Sequence, residues 1–327
     1  MLMPNRKILA TVAAGALFAL AATASHAQSW DMPTAYAPAN FHTANIERFA
    51  AGVKQATGGK LSLKVHSGAS LYKMPEIKRA VQSGQVPIGE VLMVTLANEN
   101  ALYAVDGLPF LASSYADARK LWAAQRPYIE RMLDAQGLRL LFAVPWPPQG
   151  LLTAKEVGSA ADLQGLNFRA YDKQTSRVGE LIKARPVTIQ AAEVAQALAT
   201  GKINSLMSSA QSGVDYKVWE SLKFFYDVQA WLPKNMVIVN KAAFAALDKG
   251  TQDALLAEAK KAEEAGWTSS REVAEATKKT LADNGMKVLV PGPKLVADFN
   301  RVGKQLADEW LAGAGPDGKA IVDSYQK

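Results

Sequence analysis

From Trp30 onward the chain alternates short apolar runs with amphipathic stretches, and this change of period constrains its fold more than any other feature. Leu61 to His66 repeats every two residues, with Leu61, Leu63 and Val65 on one side and Ser62, Lys64 and His66 on the other, as a half-buried strand does. Phe41 to Thr57 repeats with helical spacing through Phe41, Ile46, Phe49 and Val53, and Gly58-Gly59 closes it. Leu138 to Val144 is almost continuously apolar, the pattern of a strand covered on both faces. The rhythm continues through strands at Leu166 to Ala170, Pro186 to Ile189 and Ile203 to Met207, with helices between them. Strands alternating with helices predict α/β sheets covered by helices.

One segment breaks the rhythm. Pro145-Trp146-Pro147-Pro148-Gln149-Gly150 fits neither a helix nor a central strand, so it reads as a rigid crossing between two α/β lobes. Thr251 to Asp283 is a second exception, about thirty residues dense in Ala, Glu and Lys that predict one long helix or two nearly continuous ones. A short strand at Met286 to Val290 and a helix at Leu295 to Leu311 follow, and the polar tail from Gly313 is expected to be loose.

The first segment belongs to export rather than to the fold. Arg6 and Lys7 precede an apolar run from Ile8 to Ala22, and Ser25-His26-Ala27 gives a small-x-small cleavage pattern, so residues 1–27 are expected to be a signal peptide and Gln28 the mature start. The run is short for a spanning helix, which needs about 20 apolar residues. Removal of Arg6 and Lys7 takes the formal charge from +7 to +5. The basic residues are scattered, which points to a solvated surface and no nucleic-acid partner. A protein exported to the periplasm has no ATP or NADH supply, and no GxxxxGK[ST] or GxGxxG motif is present.

Cysteine is absent and histidine is limited to His26, His42 and His66, so thiolate chemistry is excluded and metal or triad chemistry is not expected. No GxSxG or HExxH occurs. No cofactor and no metal are expected. What stands out is Arg169, inside the apolar strand Leu166-Asn167-Phe168-Arg169-Ala170-Tyr171. A guanidinium is rarely buried without an anion. Either an internal acid pairs with it or it captures a ligand carboxylate at the strand's carboxyl end. Trp146 in the crossing and Trp231 between two strands are either core or apolar walls of a cleft. Ser205-Leu206-Met207-Ser208-Ser209-Ala210-Gln211-Ser212-Gly213 follows a strand and precedes a helix, and its serines serve either as caps or as donors to an anion.

With these features in place, the chain is similar to the TRAP-transporter solute-binding proteins of the DctP type. Three segments carry the resemblance: Phe49 to Leu61, Asp162-Leu163-Gln164-Gly165-Leu166-Asn167-Phe168-Arg169, and Glu193-Val194-Ala195-Gln196-Ala197-Leu198-Ala199-Thr200-Gly201. The resemblance implies a two-lobe periplasmic binding protein, type II-like, with a long helix spanning both lobes. It implies an organic acid as ligand, membrane permease subunits as partners, and the family's carboxylate-binding arginine at Arg169. Expected divisions are 28–148 and 233–250 for lobe I, 149–232 for lobe II, 251–284 for the spanning helix and 285–327 for a C-terminal strand and helix.

Gln149 aligns where many sialic-acid and dicarboxylate members carry a second arginine. Leu206, Met207 and Ser208 replace a more polar segment, and Ala191 replaces a frequent phenylalanine. One cationic anchor in a less charged, more aromatic pocket favours a monocarboxylate, such as a 2-oxo, 2-hydroxy or aromatic acid. Further candidate contacts are Tyr171, Ser208 and Asn235, with Tyr36 and Asn40 from the first lobe. The same lobed design serves ABC-type and tricarboxylate-binding proteins. A periplasmic enzyme acting on a carboxylate would need a base near Arg169, where only Tyr171, Asp172 and Glu193 are close in sequence.

Overall fold

The computed structural model describes residues 27–327, so the expected signal segment lies outside the described residues except for Ala27. Three sheets build two lobes. In lobe I, β1 (Gln28–Pro33) pairs in parallel with β2 (Leu61–His66), and β1 lies beside β3 (Ile88–Leu92). Strand β3 pairs antiparallel with β10 (Lys234–Asn240), which pairs antiparallel with β4 (Leu138–Pro145). Lobe II holds one mixed sheet in the order β11 (Lys287–Leu289), β9 (Phe224–Tyr226), β5 (Gly150–Thr153), β8 (Ser205–Ser208), β6 (Asn167–Ala170) and β7 (Arg185–Thr188).

Helices cover the sheets of both lobes, as the alternation requires. Lobe I carries α1 (Phe41–Ala56), α2 (Met74–Gln82), α3 (Tyr115–Ala135) and α7 (Lys241–Ala245). Lobe II carries α4 (Lys173–Leu181), α5 (Val194–Ala199) and α6 (Ala210–Asp215). Strand β4 is apolar and buried except at Arg139, because α3 packs against it as well as α8 (Lys249–Asp283).

Helix α8 has 35 residues, about 52 Å at 1.5 Å per residue. It starts at Asp248, whose Oδ1 accepts the Thr251 amide at 2.9 Å. Its first half packs on α1 and β4, its second on α6 and β11, so it spans both lobes. Gly266 marks its closest approach to lobe I: a Cβ there would lie 2.4 Å from Val144 Cγ2 and 2.9 Å from Asn45 Nδ2. Next to it Trp267 Nε1 donates to Ala143 O at 3.0 Å.

The chain passes between the lobes at residues 146–149 and 227–233. These segments bond to each other: Trp146 N donates to Pro233 O (2.8 Å), Gln149 N to Trp231 O (2.9 Å) and Ala230 N to Gln149 O (2.9 Å). The proline-rich crossing is therefore one side of a two-stranded connector whose backbone groups are satisfied even though its prolines cannot donate.

Strand β1 ends at Pro33, and just beyond it Thr34 Oγ1 donates to Glu90 Oε2 at 2.6 Å. One expectation is corrected. The tail from Gly313 is ordered: α9 runs Pro293–Gln326 with a break at Gly315 (φ 66°). Pro316 opens its second part, where a proline at a first helical turn does no harm. Ile321 is fully buried, Tyr325 Oη donates to Leu111 O at 2.8 Å, and Arg131 pairs with Asp317 at 2.7 Å. The Gly-Pro pair restarts a helix there rather than ending the fold.

Candidate functional site

Strand β6 delivers Arg169 to the space between the lobes. Its side chain is 4% exposed. The guanidinium is held at two points, by Nε donating to Ile189 O at 3.0 Å and by the Tyr171 ring, whose centroid lies 4.9 Å from Cζ. Among the described residues no Asp or Glu oxygen comes within 4.0 Å of its nitrogens. The internal salt bridge, one of the two readings open at the sequence level, is therefore not formed. A buried guanidinium with no acid partner is an anion site in the physical sense.

The cleft that Arg169 faces is small, about 40 Å³. Tyr36, Trp146, Gln149, Arg169, Tyr171 and Ser208 all line it. Ser212, from the serine-rich segment before α6, lines it as well, and so do residues that the sequence did not single out: Tyr216 from lobe II, Gln190 beside Ala191, and Met74, Leu92 and Thr95 from lobe I. Ser212 and Tyr216 are four residues apart at α6, the spacing that puts two side chains on one helix face, but a six-residue helix shows too little of its period to be read. No acidic residue lines the cleft. Burial raises the phenols of Tyr36, Tyr171 and Tyr216, so all three stay neutral hydroxyls at physiological pH.

Asn40, Trp231 and Asn235 do not line the cleft. Trp231 lies behind Tyr171, donating from Nε1 to its hydroxyl at 3.2 Å. Asn235 lies behind Trp146: its Oδ1 accepts from Trp146 Nε1 (3.0 Å) and from Tyr36 Oη (3.2 Å). Asn40 caps α1 and reaches Asp215. Asn40 and Trp231 use their polar atoms on protein groups, and Asn235 does so with Oδ1. Gln149 Nε2 donates to Pro147 O at 2.9 Å. Ser209, not Ser208, caps α6, accepting from Ser212 N at 3.1 Å.

The lobe I wall is aromatic and rests on a buried polar cluster. Trp146 meets Tyr36 at 5.0 Å, Phe41 at 5.5 Å and His42 at 4.6 Å between ring centroids. Beneath them His42 Nδ1 lies 3.5 Å from Glu90 Oε1. Burial pushes the Glu90 carboxyl up to about 7, against the opposing bonds from Thr34 and Asn235, and holds His42 well below its usual range.

A larger groove, about 1200 Å³, runs along the outside of lobe I between α3, α7 and α8. It holds none of the cleft residues, and acids line it as well: Arg126 pairs with Glu263, Lys241 with Asp134 and Arg119 with Glu264. The buried guanidinium lies in the smaller cleft.

Comparison with known proteins agrees with this geometry. The DctP family, described as bacterial extracellular solute-binding protein, family 7, matches residues 34–313. The chain belongs to this family. The solved DctP6 receptor of Bordetella pertussis, which binds pyroglutamic acid, superposes with a TM-score of 0.90 at 48% identity over 91% of this chain and 99% of that one. A marine-metagenome TRAP solute-binding protein specific for pyroglutamate gives 0.90 at 45% identity over 92% and 99%. A curated solute-binding protein of Albidiferax ferrireducens is 22% identical over 223 residues, 66% of this chain and 65% of that protein, so the chain matches about two thirds of that relative's length. This DctP-family chain is thus a solute receptor with the two-lobe α/β fold, not an enzyme. Among the described residues no helix is long and apolar enough to cross a membrane.

Proposed function

We propose that this chain is the periplasmic receptor of a TRAP transporter and that it captures pyroglutamate or an equally compact cyclic monocarboxylate for ion-gradient-driven uptake through membrane permease subunits. The observation that carries the reading is Arg169, buried without an acid partner and the one charged residue that lines the cleft. One guanidinium matches one carboxylate, and a second carboxylate would find no second cation among the cleft residues. Neutral phenols and serines suit the amide edge of a lactam, while Trp146 and Tyr36 suit its flat apolar face. Two solved relatives at 45–48% identity that bind pyroglutamate support the same choice. In this reading Gln149 and Ser208 are polar contacts, Tyr171 holds Arg169 with its ring, and Asn235 and Trp231 act through Trp146 and Tyr171. Export would follow cleavage after Ala27, which N-terminal sequencing of secreted protein checks.

A thermal-shift screen of the mature chain tests the ligand. Ligand at 100 times its Kd adds about 2.7 kcal/mol, a rise of roughly 5 °C for a chain of this size. The expected result is a shift with pyroglutamate and none with succinate or malate at equal concentration. Arg169→Ala should weaken binding about 30- to 5000-fold, the equivalent of about 2–5 kcal/mol for one partner of a desolvated charge pair. Arg169→Lys should also bind poorly, because lysine lacks the planar fork. Tighter binding of a C4-dicarboxylate, or a lysine variant with unchanged affinity, would overturn the reading.

A further inference from the structure

Asn40 joins the lobes at the mouth of the cleft. As the cap of α1 in lobe I, it accepts the His42 amide on Oδ1 at 2.8 Å. From Nδ2 it donates to Asp215 Oδ2, at the end of α6 in lobe II, at 2.7 Å. The other oxygen of Asp215 accepts from Gln211 Nε2 at 2.7 Å. The bond is dry on the lobe I side, with Asn40 1% exposed. It is also next to the ligand space, since Ser212 and Tyr216, the cleft residues of α6, flank Asp215. Neither Asn40 nor Asp215 lines the cleft.

A second tie between the lobes differs in kind. Arg177 of α4 grips Glu309 of α9 with two bonds, Nε to Oε2 at 3.0 Å and Nη2 to Oε1 at 2.8 Å, while Trp310 anchors that part of α9 to lobe I through Ala101 O. Both side chains are about two-fifths exposed (38% and 42%), so water and salt screen the pair.

We propose that Asn40 and Asp215 form a clasp that stabilises the closed cleft without touching the ligand, and so sets how long a ligand is held. The inference goes beyond the ligand assignment and rests only on the two-lobe receptor reading. A receptor's apparent affinity is its intrinsic affinity scaled by the population of the closed form. A bond made only on closure raises that population for any ligand. A neutral amide facing a carboxylate gives a directional contact across a gap that must still open, whereas a full ion pair there would pull the lobes together at longer range.

The swap of the two side chains tests this. Asn40→Asp keeps the size and the capping oxygen but removes the donor and places a second carboxylate opposite Asp215. Asn40→Asp with Asp215→Asn restores one donor and one acceptor with their places exchanged, and the new Asn oxygen still accepts from Gln211. Dissociation of pyroglutamate is followed by stopped flow. The lobe separation of the ligand-free protein is read between spin labels on Gln55→Cys and Lys202→Cys, exposed positions in a chain that has no cysteine of its own.

Asn40→Asp should release ligand about tenfold faster or more, the scale of a hydrogen bond to a charged group, and shift the separation to longer distances. The double variant should return to within about threefold of the parent. Arg177→Gln should change release by less than about threefold. Parental release and separation in a folded Asn40→Asp variant, or a double variant as fast as the single one, overturns the clasp. If the parent binds no pyroglutamate, the ligand assignment fails by itself. The separation then decides: widening by the single swap and return by the double one supports the clasp, and an unchanged separation overturns it.

Discussion

Two cations are buried near the line where the lobes meet, and the chain treats them in opposite ways. Lys234, at the start of β10, is fully buried and has a resident acid: Asp106 Oδ2 accepts from its backbone amide at 2.9 Å and lies 3.4 Å from Nζ. Burial drives both groups toward neutrality, raising Asp106 and lowering Lys234, and each opposes the shift of the other. Arg169, nearly as buried, has a carbonyl and a ring face but no acid. A charge enclosed with its counter-ion belongs to the scaffold. A charge enclosed without one leaves its remaining donors for an anion from outside.

The largest effect expected from this contrast is on stability at Lys234. Lys234→Met leaves the Asp106 carboxyl buried opposite a thioether and should destabilise the ligand-free protein by about 3–5 kcal/mol in urea denaturation. Lys234→Met with Asp106→Leu should recover much of that, because exchanging a buried pair for apolar groups is often close to neutral. Arg169→Ala should leave ligand-free stability within about 1 kcal/mol of the parent while abolishing binding. Equal losses of stability at the two sites would erase the distinction.

The lobe I cluster shows a third way of burying charge. Among the described residues Glu90 has no cation to pair with other than His42, which burial keeps neutral, and its other close partners, Thr34 and Asn235, are neutral. It therefore tends to hold a proton, its carboxyl pushed up from an ordinary 4.5 to about 7. Between those values the folded chain binds a proton that the unfolded chain has released. Its contribution to stability is present below about pH 4.5 and lost as pH rises through about 7, on the order of 3 kcal/mol in all. His42 acts with the opposite sign, losing stability as pH falls through its ordinary value near 6.5. The difference between the parent and Glu90→Gln isolates the carboxyl. That difference should shift in favour of the glutamine variant between pH 5 and pH 8, and parallel pH–stability curves would remove Glu90 from the account.

These sites were not equally legible in the sequence. Arg169 could be singled out because a charge inside an apolar strand contradicts the local pattern, and the pattern alone places it at the strand's end. Lys234 sits beside Pro233 in a run read as a loop leading into a strand, so nothing marked it as buried. Its partner Asp106 lies 128 residues earlier. The long helix α8 was readable because 35 residues repeat one period many times. A helix after the serines was expected, but six residues show too little of its period, and with that went Tyr216 and the reach of Asp215 to Asn40. The aromatic wall was half legible: Trp146 stood out in the proline-rich crossing, but its dependence on Asn235 joins residues 89 apart and appears only when β10 lies beside β4.

The smallest expected effect concerns how Arg169 is held while it has no anion. Tyr171 serves it with the ring face, and its hydroxyl faces away to accept from Trp231 Nε1. Tyr171→Phe keeps the ring and removes the acceptor, which leaves a buried indole N–H unpaired. That should lower stability by about 1–3 kcal/mol and change ligand affinity by less than about threefold if the hydroxyl is spent on Trp231. Tyr171→Leu removes the ring as well and gives up a further 0.5–2 kcal/mol or so of cation–π attraction, and it should weaken binding more than the phenylalanine variant does, since the guanidinium then loses one of its two points of fixation. Calorimetric titration of both variants separates the roles. A phenylalanine variant that binds as weakly as the leucine one would make the Tyr171 hydroxyl a ligand contact and leave Trp231 with only a packing role.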